Sequence, residues 1–134
     1  MASKMLHTCL RVENLETSIA FYQEAFGFKE LRRKDFPDYQ FTIVYLGLDG
    51  DDYELELTYN YNHGPYVIGD GYAHIALSAP DLEALHAQHS QAGYEVTDLK
   101  GLPGNAPNYY FVKDPDGYKV EVIRENHFKN GRLR

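Results

Sequence analysis

A chain of 134 residues, 43% hydrophobic and 25% charged, carries enough apolar material for one domain or for two small fused modules. A formal net charge of -7 argues against a nucleic-acid scaffold, which needs clustered Lys and Arg, and no apolar run reaches the length of a membrane span or of a signal-peptide core. Cys9 is the one cysteine, so no internal disulfide forms and a reducing cytoplasm is the expected compartment.

Leu6 to Val12 alternates like a strand, with Leu6, Thr8, Leu10 and Val12 on one face and His7, Cys9 and Arg11 on the other. Asn14 is the expected N-cap of a helix carrying Leu15, Ile19, Tyr22 and Phe26 at helical spacing, and Gly27 its C′ residue. Phe28 to Arg33 and Tyr39 to Leu48 read as strands separated by a turn at Asp35-Phe36-Pro37-Asp38. A second turn at Gly50-Asp51-Asp52 leads into a strand over Tyr53 to Tyr59. Residues 61–71 are rich in Asn, Gly, Pro and Asp and read as a surface linker.

The pattern then restarts. Tyr72 to Ala79 alternates, Asp81 caps a helix carrying Leu82 and Leu85, and Gly93 closes it. A loop holding Gly101, Pro103, Gly104 and Pro107 precedes strands Tyr109 to Lys113 and Tyr118 to Ile123. These are joined by Asp114-Pro115-Asp116-Gly117, where Pro presets one corner of a tight turn and Gly frees another. The two halves are an internal repeat: the first strand's histidine precedes the helix-ending glycine by 20 residues in one half and 19 in the other. A strand, a helix and three strands occur twice. The expected organisation is a single domain over 1–134, with modules at about 5–60 and 72–124, a linker over 61–71 and a frayed tail over 125–134.

The repeat puts four polar residues in equivalent strands. His7 and His74 stand in the first strand of each module and Glu56 and Glu121 in the last, 49 and 47 residues apart. Strand parity turns Leu55 and Leu57, or Val120 and Val122, to one face and the glutamate between them to the other. Two imidazoles and two carboxylates on such a face either line a solvated groove or, if the sheets curve together, suit a divalent metal with positions left for water.

His7-Thr8-Cys9-Leu10-Arg11-Val12, Glu56-Leu57-Thr58-Tyr59-Asn60, Gly71-Tyr72-Ala73-His74-Ile75-Ala76-Leu77 and the Asp-Pro-Asp-Gly-Tyr-x-x-Glu hairpin resemble glyoxalase I (lactoylglutathione lyase) of the short bacterial type, within the vicinal-oxygen-chelate superfamily. The resemblance runs from about Leu6 to Ile123. It implies an α+β fold in which two βαβββ modules form a curved mixed sheet with helices on the outer face. It further implies isomerisation of the methylglyoxal-glutathione hemithioacetal to S-D-lactoylglutathione through an enediolate, in a cytoplasmic homodimer. The implied cofactor is a divalent metal on His7, Glu56, His74 and Glu121: Ni²⁺ first, with Co²⁺ or Zn²⁺ as alternatives, and glutathione is the cosubstrate. Glu121 is the implied base and Glu56 its counterpart for the opposite stereoisomer.

By the same resemblance Arg11 pairs with the γ-glutamyl carboxylate of glutathione and Asn60 lies near that group; Lys100, in a loop, is either a contact of the glycyl carboxylate or simply a solvated lysine. Asp70 stands where longer eukaryotic members carry arginine. The competing readings are another enzyme of the superfamily (epimerase, thiol transferase or ring-cleaving dioxygenase) and a metal-free antibiotic-binding protein; all four ligands being present weighs against the last. His63, His86, His89 and His127 read as surface residues, Cys9 as a buried or half-buried thiol, and Asp49, Asp51 and Asp52 as a turn. Neither nucleic acid nor a membrane is an expected partner.

Overall fold

A computed structural model describes residues 2–125, 128–129 and 132–133. The chain divides into two compact units, Met1–Val67 and Ile68–Arg134. In the first, β1 (His7–Arg11), α1 (Leu15–Phe26), β2 (Lys29–Phe36), β3 (Phe41–Gly47) and β4 (Glu54–Asn60) follow one another, and the strands bond in the order β1-β4-β3-β2. β1 and β4 are parallel and the remaining pairs antiparallel. In the second unit β5 (Ile75–Ala79), α2 (Leu82–Gln91), β6 (Tyr109–Lys113) and β7 (Lys119–Arg124) build a sheet ordered β5-β7-β6. β5 and β7 are parallel, β6 and β7 antiparallel. The topology is thus repeated: an opening strand lies parallel to the module's last strand, with a helix in the connection.

Local chemistry accounts for the element ends. The Asn14 side chain accepts from the Thr17 backbone N–H and the Asp81 side chain from that of Ala84, the N-caps expected of both. Gly27 takes a left-handed φ of 79° that a side chain would disfavour, which ends α1. Asp114 Oδ1 accepts from the N–H groups of Asp116 and Tyr118, each at 2.9 Å, tightening the hairpin turn. β2 runs on to Phe36, beyond the turn expected at Asp35. The Thr42 hydroxyl donates to Asp35 and the Phe36 and Phe41 rings stack 4.7 Å apart, so the pairing continues to the turn at Pro37–Tyr39.

The second unit treats its expected additional strand differently. Residues 95–100 run beside β6 but pair with it only at Val96↔Val112 and Lys100↔Tyr109. Between these points the Thr97 hydroxyl, rather than its carbonyl, accepts from the Phe111 N–H, while the Thr97 carbonyl is taken by His86 Nε2 at 2.9 Å. Side-chain bonds therefore interrupt the ladder. The frayed tail expected over 125–134 lies partly outside the described residues, as does His127. Where described, Phe128–Lys129 (β8) pairs antiparallel with Arg132–Leu133 (β9). Among the described residues no helix is long and apolar enough to cross a membrane.

Each sheet buries one face. In the first unit Leu10, Val44, Leu46, Leu55 and Leu57 are buried, as are Leu15, Ile19, Tyr22 and Ala25 of α1, which touches β4. In the second, Tyr110, Val112, Val120 and Val122 are fully buried, and α2 touches β6 and β7. α2 corrects the surface reading of two histidines. His89 lies seven residues beyond Leu82, on the same helical face, and is fully buried. The Tyr110 hydroxyl is 2.9 Å from His89 Nδ1, and burial pushes the Tyr110 phenol well above its ordinary value, so it keeps its proton. His86, half-buried, rests edge-on against Tyr110 with ring centres 4.7 Å apart. Helical position, not residue polarity, decided the side on which these imidazoles fall.

Tyr110→Phe removes the hydroxyl facing a buried ring nitrogen and is expected to lower stability by about 1–3 kcal/mol. Tyr39→Phe, at an exposed position, is expected to change it by less than about 0.5 kcal/mol. Urea denaturation of both variants checks the contrast.

Candidate active site

Two half-sites are built on one plan. In the first unit Glu56 sits mid-strand in β4 between the buried Leu55 and Leu57, on the opposite face, with Cys9 as its partner across β1 and Tyr45 across β3. His7 lies two residues before Cys9, on the same face. Its Nε2 is 3.1 Å from Glu56 Oε1, and its ring stands edge-on to Tyr45 at 5.6 Å. In the second unit Glu121 sits mid-strand in β7 between the buried Val120 and Val122, with Ala76 across β5 and Phe111 across β6. His74 lies two residues before Ala76. Its Nε2 is 3.1 Å from Glu121 Oε1, and its ring stands edge-on to Phe111 at 5.3 Å.

The donor chemistry fits a divalent ion. An imidazole nitrogen and a carboxylate oxygen are paired at one edge of each sheet, and both histidine side chains remain 38% exposed, open to a ligand. Among the described residues no group of three or more His, Cys, Asp and Glu that could hold a metal ion is gathered in one place, so each unit offers two donors.

The first half-site is the more polar. Thr58 Oγ1 donates to Glu56 Oε2 at 2.9 Å and lies 3.3 Å from Cys9 Sγ. Arg32 grips Glu54 with bonds of 2.6 and 3.0 Å, holding that carboxyl below the usual range, and its guanidinium lies 4.5 Å over the Tyr45 ring. Desolvation, then the charge of Glu56, raises the Tyr45 phenol. Cys9 is exposed rather than buried, because it lies on the His7 face of β1. Its thiol is nevertheless raised, first by desolvation of the sulfur against the sheet and further by Glu56, with Thr58 opposing. It is a protonated hydrogen-bonding group, not a poised nucleophile.

The expected substrate contacts fall in both units. Arg11 closes β1 in register with Thr58, and Asn60 closes β4 on the Glu56 face, its side-chain amide donating to the Tyr66 hydroxyl at 2.8 Å. His63 stacks on Tyr66 with ring centres 3.9 Å apart. In the second unit Lys100 lines a cleft of about 370 Å³ together with His74, Tyr72, Phe111 and Lys119. Lys113, at the same cleft, is tied to Glu95 at 2.8 Å. Sequence reasoning missed Thr58 and Tyr66. Thr58 was within reach, since period-two alternation puts residue 58 on the face of residue 56; Tyr66, in an irregular segment, carried no periodic signal.

Residues 4–122 match the sequence profile of the Glyoxalase/Bleomycin resistance protein/Dioxygenase superfamily. The chain belongs to this superfamily. It is 42% identical over 125 residues to a lactoylglutathione lyase of Neisseria meningitidis, covering 91% of each chain. It is 40% identical over 131 residues to that of Haemophilus influenzae, covering 96% of this chain and 97% of the relative. Among solved structures it resembles the trypanothione-dependent glyoxalase I of Leishmania major, with a TM-score of 0.82 and 36% identity over 93% of this chain and 88% of that one. The α+β architecture of this superfamily member, with a four-stranded sheet and helix in one unit and a three-stranded sheet and helix in the other, is thus that of glyoxalase I.

A raised thiol holds less thiolate at any given pH. Cys9 is expected to be alkylated by iodoacetamide more slowly than a free cysteine peptide at neutral pH, and to accelerate only as pH rises beyond the ordinary thiol value. Mass-spectrometric time courses across pH check this.

Proposed function

We propose that the protein is a metal-dependent lactoylglutathione lyase that isomerises the methylglyoxal-glutathione hemithioacetal to S-D-lactoylglutathione, removing a toxic aldehyde. The observation that carries the reading is the repetition of one imidazole-carboxylate pair, at the same strand register, in both units of a chain that follows lactoylglutathione lyases over nearly its whole length. His7, Glu56, His74 and Glu121 would hold one divalent ion, Ni²⁺ by the resemblance to short members, with Co²⁺ and Zn²⁺ as the alternatives. When bound, the ion supplies Lewis-acid stabilisation of negative charge on the substrate oxygens, worth several kcal/mol.

The chain's own residues do the rest. A Glu121 carboxylate oxygen takes the proton from one carbon and returns it to its neighbour, which requires the base to stay within hydrogen-bonding reach of both. Glu56 serves the opposite stereoisomer. Arg11 grips the γ-glutamyl carboxylate with its planar fork, Asn60 orients the same group while held by Tyr66, and Lys100 faces the glycyl carboxylate across the His74 cleft. Glutathione is the proposed thiol, the assembly a homodimer and the compartment the cytoplasm. Four ligands, rather than a two-histidine, one-glutamate set, favour this reading over a dioxygenase or thiol transferase.

Glu121→Gln is expected to lower turnover by on the order of 10²–10⁴-fold with an unchanged far-UV circular dichroism spectrum; near-normal turnover would remove Glu121 from the chemistry. Chelator-treated protein is expected to form no thioester absorbance from methylglyoxal and glutathione, and to regain it on addition of Ni²⁺. A protein silent with every divalent metal yet able to bind an antibiotic is instead a sequestering protein.

A further inference from the structure

The two half-sites share a frame but not a lining. Beside Glu56 stand Thr58 on the same face of β4, Cys9 across β1 and Tyr45 across β3. At the corresponding places beside Glu121 stand Ile123, Ala76 and Phe111. Apart from the histidine common to both, each of these polar neighbours of the first carboxylate is replaced by an apolar residue around the second.

The consequence is geometric. Thr58 commits its hydroxyl proton to Glu56 Oε2 and leaves Oε1 to His7, so both oxygens of Glu56 are engaged. The Thr58 hydroxyl also lies 3.3 Å from Cys9 Sγ, so the thiol packs beside it on the neighbouring strand. Glu121 is 3.1 Å from His74 through Oε1, and among the described residues its other oxygen meets no hydroxyl, thiol or amide. The terminal torsion of a glutamate is broad and easily turned. A fixed donor on the second oxygen arrests it, and an isoleucine side chain does not.

We propose that Thr58 is a positioning residue that holds Glu56 as a metal ligand while Glu121 acts on its own stereoisomer, and that Ile123 leaves Glu121 free to turn and carry the proton. The inference rests on the lyase reading and deepens it: the division of labour between two equivalent carboxylates follows from one hydroxyl present in one module and missing from the other. Outer partners of ligating carboxylates typically change metal affinity by 10–100-fold when removed.

The test measures Ni²⁺ affinity of the intact chain by competition with a chromophoric chelator, together with the visible absorption of the Co²⁺-loaded protein and turnover. Thr58→Val is expected to weaken Ni²⁺ binding about 10–100-fold and shift the Co²⁺ bands, and Thr58→Ser to restore both. Ile123→Thr, which builds a donor beside Glu121, is expected to lower kcat about tenfold at unchanged KM while Ni²⁺ binds as tightly as in the unaltered protein. If Glu56→Gln leaves Ni²⁺ affinity untouched, the four-ligand reading falls and this inference falls with it. If Glu56→Gln weakens binding and Thr58→Val does not, the positioning role alone is overturned. Should Thr58→Val fail to fold by circular dichroism, Ile123→Thr decides, and an unaltered kcat there overturns the role.

Discussion

The aim of the two glutamates depends on the burial of the residues beside them. Leu55 and Leu57 flank Glu56, Val120 and Val122 flank Glu121, and all four are buried. Burying such a side chain contributes about 1.5–3 kcal/mol, and successive strand residues point to opposite faces. A one-residue slip of β4 or β7 would turn the carboxylate into the apolar face and both hydrophobes away from it, so the core excludes it. The orientation of the site is thus secured by apolar packing on the far side of the sheet, at no demand on the polar groups themselves. The same logic holds on β1 and β3, where Leu10 and Val44 lie buried while Cys9 and Tyr45 turn to the Glu56 face.

Each unit also protects what it cannot bury. β2 is an edge strand whose side chains are exposed nearly throughout, and an unpaired edge invites another strand. Lys29, Arg32 and Arg33 along it are engaged with Asp49, Glu54, Glu16 and Glu30, which covers the edge with charge. Arg32 also stacks on Tyr45, the aromatic neighbour of His7, so one residue both guards the edge and supports the site. In the second unit Arg124 bridges to Glu83 of α2 and to the carbonyl of Pro107, joining the helix to the loop that precedes β6. That guanidinium holds Glu83 far down, at about 2, so the bond persists to strongly acid pH and is lost as pH falls through that value.

Duplication gives two sites of the same shape, and divergence gives them different surroundings. The frame of imidazole, carboxylate and edge-on aromatic is common to both units, as are the two-residue offsets that place each histidine. Three substitutions around it, Thr58 against Ile123, Cys9 against Ala76 and Tyr45 against Phe111, leave one carboxylate in a hydrogen-bonded setting and the other in an apolar one. A proton shuttle and a fixed ligand make opposite demands on a carboxyl group. Such a pair of environments suits both demands without altering the backbone.

Much of this was legible in one dimension because it depends on short-range periodicity. Alternation located β1, β4, β5 and β7 and the faces of His7, Glu56 and Glu121; Asn14, Gly27, Asp81 and the Asp-Pro-Asp-Gly turn marked where elements begin and end; and the matched spacings exposed the repeat. Those signals are carried by neighbours a few residues apart, so they survive in a bare string of letters. Contacts across the fold are not encoded that way. The burial of His89 required Tyr110, 21 residues later, to supply a partner; the interrupted ladder at Thr97 required His86 to claim a carbonyl from the helix; the pinning of Glu56 required Thr58 and Cys9 to meet across two strands. Each is a choice of hydrogen-bond partner among several of similar strength, and only packing in three dimensions selects which donor reaches which acceptor.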